Sequence, residues 1–152
     1  CYKAMFNGND QMIATCGSDR MVCVWDLRKA AKPLVINKDS ESCVMACDWA
    51  EDNKHVLSST MNGVINSLNI ETNKFVLKHD TLALTPDIES NIIYSLKAVK
   101  NHPNKKTTNL FTIGAENQLI YMCDYDPSAK YEAWLLEILQ KYEGHSYGIR
   151  DV

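Results

Sequence analysis

Short apolar runs alternate with polar breaks along the whole chain. The clearest pair is Ile13-Ala14-Thr15-Cys16 and Val22-Cys23-Val24-Trp25, split by Gly17-Ser18-Asp19-Arg20. Period-two spacing in the second run fits a strand with one buried face, and the turn-rich break makes the pair a β-hairpin. Cys1 to Asn7 reads as a preceding strand, with Gly8-Asn9-Asp10 as its turn. Pro33 to Ile36 reads as a short edge strand, since Pro cannot donate to a ladder. The pattern restarts with runs at 43–49, 55–60, 64–70 and 74–77, followed by a loop from His79 to Asn91. Met61-Asn62-Gly63 is a strong hairpin signal. A third round has runs at 92–99, 110–114 and 119–124. The stretch 133–142 reads in two ways. Trp134, Leu136 and Ile138 alternate as in a strand, while Trp134, Ile138 and Tyr142 fall on one helix face.

These rounds form a repeat. Asp19 and Asn62 are 43 residues apart, and Asn62 and Asn117 are 55 apart. Six residues after each of these stand Trp25, Leu68 and Cys123, followed by Asp26, Asn69 and Asp124. Four short strands in roughly 40–45 residues is the period of a WD-type propeller blade.

On these residues the chain resembles the WD40-repeat family. Thr15, Asp19, Trp25-Asp26 and Gly144-His145 carry the likeness. The resemblance implies a structural hydrogen-bond set made of Thr15, Asp19 and Trp25 with a His of the type of His145. The second unit keeps Ser58 and Asn62 but has Leu68 in the Trp place. The third keeps Asn117, with Ile113 and Cys123. The implied fold is all-β, with about three four-stranded antiparallel blades that form part of a larger ring. The expected blades are 1–42, 43–91 and 92–145, with a further one starting at 146–152. The chain opens on Cys1 and ends in strand-like residues, so a piece of a longer protein is expected.

Composition narrows the function. A net charge of −3 gives no electrostatic case for nucleic acid. No apolar run approaches the roughly 20 residues that span a bilayer. The six cysteines sit mostly in strand-like runs and read as buried free thiols in a reducing, intracellular compartment, cytoplasmic or nuclear. Cys43 and Cys47 are the only close pair and lack the second pair that a zinc site needs, so neither a metal nor a cofactor is expected. Lys97, Lys100, Lys105 and Lys106, near His102, form a basic patch that reads as a solvated loop.

The expected role is a non-catalytic protein–protein interaction scaffold within a larger multiprotein assembly. The resemblance implies partner docking on the face of the d–a and b–c loops, which assigns Arg20, Lys38, Asp39, Glu41, Asn62, Glu116, Gln118 and Tyr147 to that face. Trp25-Asp26-Leu27-Arg28 is also similar to the signature of substrate receptors for cullin-type ubiquitin ligases, where Arg28 would meet the adaptor. An enzymatic alternative would place a hydrolase or transferase site in the propeller channel. No catalytic constellation supports it, and Asp19 and His145 read as structural.

Overall fold

A computed structural model describes residues 1–29, 32–81, 92–99, 110–115, 120–124, 137–144, 146–147 and 149–151. All regular elements among them are strands: β1 (Lys3–Phe6), β2 (Met12–Cys16), β3 (Val22–Asp26), β4 (Val35–Asn37), β5 (Val44–Trp49), β6 (His55–Thr60), β7 (Val64–Asn69), β8 (Lys74–Asp80), β9 (Ile93–Ala98), β10 (Leu110–Ala115), β11 (Ile120–Asp124) and β12 (Glu137–Tyr142). They form three antiparallel four-stranded meanders, β1–β4, β5–β8 and β9–β12. This is the all-β architecture expected for part of a propeller.

Two element ends differ from the sequence expectation. β4 is shifted towards Asn37, which is 2% exposed and hydrogen-bonded to Asp39 and to the Asn73 carbonyl. β8 runs on to Asp80, so His79 and Asp80 are strand rather than loop. They pair with Ile65 and Val64, which carry no polarity signal of their own partner's extent. Residues 137–142 are a strand paired with β11, not a helix face; residues 133–136 lie outside the described residues.

The repeat is visible in backbone geometry. Asp10 and Asn53, 43 residues apart, both have positive φ, as do Arg20 and Gly63 at the same offset. The hydrogen bond from the Asn7 N–H to Met12 O recurs from Ala50 to His55, and that from Leu27 to Gln11 recurs from Ile70 to Lys54. A single turn chemistry has therefore been written twice.

The sheets stack face to face through two apolar layers. Between the first and second sheets lie Ala14, Cys16, Val22, Val24 and Val35 against Val44, Cys47, Trp49, Val56 and Leu68. Between the second and third lie Ala46, Leu57, Ile65 and Leu77 against Ile93, Leu96, Ala98, Phe111, Ile113 and Ala115. Both faces of the second sheet are thus covered, and its strands read as nearly continuous buried runs. A register shift between Val44 and Ala46 in β5 lets these two residues serve opposite layers, although they are two positions apart.

Polar stitches cross both layers. The Trp49 indole N–H donates to the Met5 carbonyl at 2.9 Å, tying β5 to β1. The Gly8 N–H donates to Asn53 Oδ1 at 2.6 Å. Asp48, fully buried, accepts from the Ala98 N–H at 2.9 Å and from its neighbour Trp49 N–H at 2.8 Å, with the Lys97 ammonium 4.0 Å away. A buried carboxylate needs such partners, because desolvation otherwise makes its charge costly. The pattern of the run Val44 to Trp49 contained a signal for this role. A charged residue inside an apolar strand is almost never fully buried unless it is paired.

Candidate protein-interaction face

The β2–β3 turn, residues 17–21, is built around the left-handed backbone of Arg20 (φ 63°) and the Arg20 N–H bond to Gly17 O at 3.3 Å. The Asp19 carboxylate accepts the Met21 N–H at 3.2 Å inside the turn. Below it, the Trp25 indole N–H donates to Thr15 Oγ at 2.9 Å, which joins two members of the implied structural set. Thr15, Asp19 and Trp25 share the lining of a cavity of about 190 Å³ with Cys1, Cys16, Gly17, Met21 and Cys23. His145 lies outside the described residues.

This turn abuts the segment that leads into the second sheet. The Val44 N–H donates to Gly17 O at 3.1 Å, and the Cys43 thiol approaches Ser18 O at 3.5 Å. Asp39 and Glu41, from the β4–β5 connection, line one small depression with Asn62 from the β6–β7 turn. Lys78 pairs with Glu41 at its rim. Thr60 holds that turn from below, donating its hydroxyl to Asn62 Oδ1 or Val64 O and accepting the Val64 N–H. The Thr81 hydroxyl and N–H both donate to Gly63 O, fastening the end of β8 to the same turn. Arg20, Lys38, Asp39, Glu41 and Asn62 are all exposed, as is Tyr147 at 86%. Glu116 and Gln118 lie outside the described residues.

Arg28 lies at the opposite end of β3. Its Nε and Nη2 both bond the Asp26 carboxylate at 2.9 Å, and its backbone N–H adds a third bond at 3.0 Å. Hydrogen bonds from the Arg28 side chain, then from its amide, hold the Asp26 carboxyl down to about 2. The bidentate fork fixes the guanidinium, although 63% of the side chain is solvent-exposed. Asn69, 43 residues on, does a similar job without charge: its Oδ1 accepts the N–H groups of Glu71 and Thr72, both at 3.0 Å.

The imidazole of His55 has both ring nitrogens engaged, Nδ1 with Asp52 at 2.6 Å and Nε2 with Asn69 at 3.1 Å. Among the described residues no group of three or more His, Cys, Asp or Glu side chains is arranged to hold a metal ion. No helix among them is long and apolar enough to cross a membrane. Of the basic patch, Lys97 faces Asp48, and Lys100, His102, Lys105 and Lys106 lie outside the described residues.

Meandering four-stranded sheets, stacked face to face, with the first two repeating at 43 residues, define a propeller-type repeat architecture. The family model described as WD domain, G-beta repeat, matches residues 2–26, which span β1 to β3 with Thr15, Asp19, Trp25 and Asp26. Over these residues the chain is similar to the WD40-repeat family. No curated protein matches the chain. WD40 domains are in general protein-interaction scaffolds and typically non-catalytic.

Sequence reasoning missed Trp49, Asp48 and Asn53, which join sheets rather than strands. Their partners Met5, Ala98 and Gly8 are 44, 50 and 45 residues away, beyond any local pattern.

Proposed function

We propose that this chain is a non-catalytic scaffold subunit of a multiprotein assembly, made of consecutive blades at 1–42, 43–91 and 92–145, and that it works inside the cell. Its partners are other proteins. They dock on the face that carries Arg20, Lys38, Asp39, Glu41, Asn62 and Tyr147, to which the sequence repeat also assigns Glu116 and Gln118. The observation that carries this reading is the hydrogen-bonded seam between turn 17–20 and residues 43–44, which presents two loops as one ordered edge. An ordered edge loses little conformational entropy on binding, and mixed charges give it specificity.

The Asp26–Arg28 fork supports a bracing role for Arg28 rather than docking on a ligase adaptor.

The test is affinity purification of the tagged full-length protein from its native source. Charge reversal at Arg20 and Lys38, combined with Tyr147→Ala, removes the co-purifying proteins, while Asp10→Lys with Glu71→Lys on the opposite turns leaves them. Loss through the opposite turns alone overturns the assignment of the face. Loss of the adaptor on Arg28→Ala, with the other partners retained, favours the ligase reading.

A further inference from the structure

One depression on the docking face contains buried polar atoms that the chain leaves unpartnered. Asp39, Ser40 and Glu41, from the β4–β5 connection, line it together with Asn62, Asn66 and Lys78 of the second sheet. Its rim is exposed and charged, with Asp39, Glu41 and Lys78 around it. Its floor is buried, since Ser40 is 6% and Asn66 2% exposed. Strand alternation accounts for the place of Asn66. Val64, Asn66 and Leu68 share one face of β7, and Leu68 belongs to the layer against the first sheet, from which the connection departs.

Ser40 Oγ and Asn66 Oδ1 have no protein hydrogen-bond partner among the described residues. Buried polar atoms are seldom left in that state, because the lost hydration is not replaced. An amide oxygen can only accept, a hydroxyl can do either, and ionised carboxylates only accept. The depression is therefore matched to a donor that carries positive charge. Its rim already holds one. The Lys78 ammonium pairs with Glu41, and Lys78 stands beside Asn66 in the β7–β8 register. An ammonium has three donors, yet both floor oxygens stay unpartnered beside it. Lys78 is anchored in β8, which limits the directions from which its ammonium can approach. A lysine on another molecule is free of that constraint.

We propose that this depression receives a lysine side chain of a protein partner, whose ammonium takes the place of the Lys78 ammonium at Glu41 and donates to Ser40 Oγ and Asn66 Oδ1 below it. The proposal rests on the docking face described above and names the partner chemistry that this part of it selects. The exchange keeps one cation at Glu41 and adds donors for the floor. The Lys78 side chain, 41% exposed, returns to water. Releasing an exposed ion pair loses little, whereas a buried acceptor gains a charge-assisted bond. A compact ammonium fits where another ammonium sat, and the larger planar guanidinium of arginine does not share that fit. Acetylation of the incoming lysine removes its charge and with it the recognition.

The full-length protein, isotope-labelled, is titrated with a short capped peptide that contains one lysine, and its amide signals are followed by NMR. Saturable shifts are expected at Ser40, Glu41, Asn62 and Asn66, and none from the same peptide acetylated on its lysine. Lys78→Met, which removes the resident ammonium, should tighten binding a few-fold. Glu41→Gln should weaken it about tenfold, and Ser40→Ala should weaken it less. Equal shifts from the acetylated peptide overturn the proposal, as does the absence of saturable shifts up to the solubility of the peptide. Weaker binding by Lys78→Met overturns it too. Shifts at these amides from calcium chloride but not from the lysine peptide would make the depression a metal site and overturn it as well. A failed titration, with partners still lost on charge reversal at Arg20 and Lys38, removes the lysine site and leaves the docking face. A positive titration, with partners indifferent to that reversal, supports the site and removes the wider face.

Discussion

The first and second sheets share one strand plan and solve it with different chemistry. At the same register position the first carries Trp25 and the second Leu68; one step further stand Asp26 and Asn69. Trp25 is half-buried and hydrogen-bonded to Thr15, whereas Leu68 is fully buried under the first sheet. Its neighbours on that face, Ser58 and Asn66, hold Oγ and Oδ1 atoms without a protein hydrogen-bond partner among the described residues. The same backbone position thus serves two chemistries: apolar contact with the neighbouring sheet at Leu68 and polar bracing inside the blade at Trp25. The residues that make the first sheet recognisable are therefore not what the blade plan itself requires.

The comparison breaks most visibly at the tryptophans. Trp49 fills the layer between the two sheets and is 0% exposed, while Trp25 braces a face that the second sheet does not cover. Trp49→Ala is expected to cost about 3–5 kcal/mol in urea unfolding, through lost transfer energy plus an unfilled cavity. Trp25→Ala is expected to cost distinctly less. Equal losses would show that polar bracing and sheet-to-sheet packing carry the same weight here.

The tight turns come next. Gly63 has φ 80° where β6 passes to β7, a conformation that charges an L side chain for its Cβ. Gly63→Ala should lower stability by about 1–2 kcal/mol, read as a drop in urea midpoint at unchanged slope. A changed slope would instead mean that the turn governs the compactness of the unfolded chain.

How much of this was legible beforehand differs between strand and sheet. Alternation placed the hairpins, because neighbouring strands are joined by short turns whose residues sit in sequence between them. The Thr15–Trp25 bond was legible for the same reason, as both ends belong to one hairpin. The 43-residue offset was readable from Asp19 and Asn62, and it recurs in the φ angles of Asp10, Asn53, Arg20 and Gly63. The layers between sheets were not legible. Trp49 looked like any residue closing an apolar run, since its partner Met5 lies in another sheet. Strand ends were misplaced where polar residues pair at an edge, as with Lys78, His79 and Asp80. The Arg28 bond to Asp26 joins residues two positions apart, so an Arg28 held inside its own blade was among the readings the sequence offered.

A smaller effect separates the charged and neutral versions of the turn after the third strand. Hydrogen bonds from Arg28 hold Asp26 at about 2 in the folded chain, below the roughly 3.9 of an unfolded aspartate. A lowered carboxylate contributes stability that is complete above pH ~4 and is lost as pH falls towards ~2. Asp26→Asn should therefore be less stable than the parent at pH 6, and the gap should close as pH drops to 2. Unfolding midpoints measured across that range would show the convergence. A constant gap would mean that Asp26 acts through shape and not through charge. Asn69→Ala, in the uncharged counterpart, should produce a gap that does not depend on the protonation of its own side chain.

The smallest effect has the opposite sign. Arg20 holds the backbone conformation that Gly63 holds in the second sheet, with φ 63°, but does so with a side chain attached. Removing that Cβ relieves left-handed strain of about 1–2 kcal/mol, while the extra freedom of Gly in the unfolded chain takes back about 0.5–1. Arg20→Gly should thus stabilise the chain by a fraction of a kcal/mol to about 1 kcal/mol. If Arg20 is kept there for docking, the same substitution should weaken capture of protein partners while raising the unfolding midpoint. Strain tolerated at a residue whose side chain makes no hydrogen bond or ion pair among the described residues is the pattern expected where the side chain serves an interaction outside the fold. A stabilised variant with unchanged capture would remove Arg20 from the docking face and leave its φ as a cost without a use. A destabilised variant would show that the Arg20 side chain supports its own turn, and the equivalence with Gly63 would then hold for backbone geometry alone.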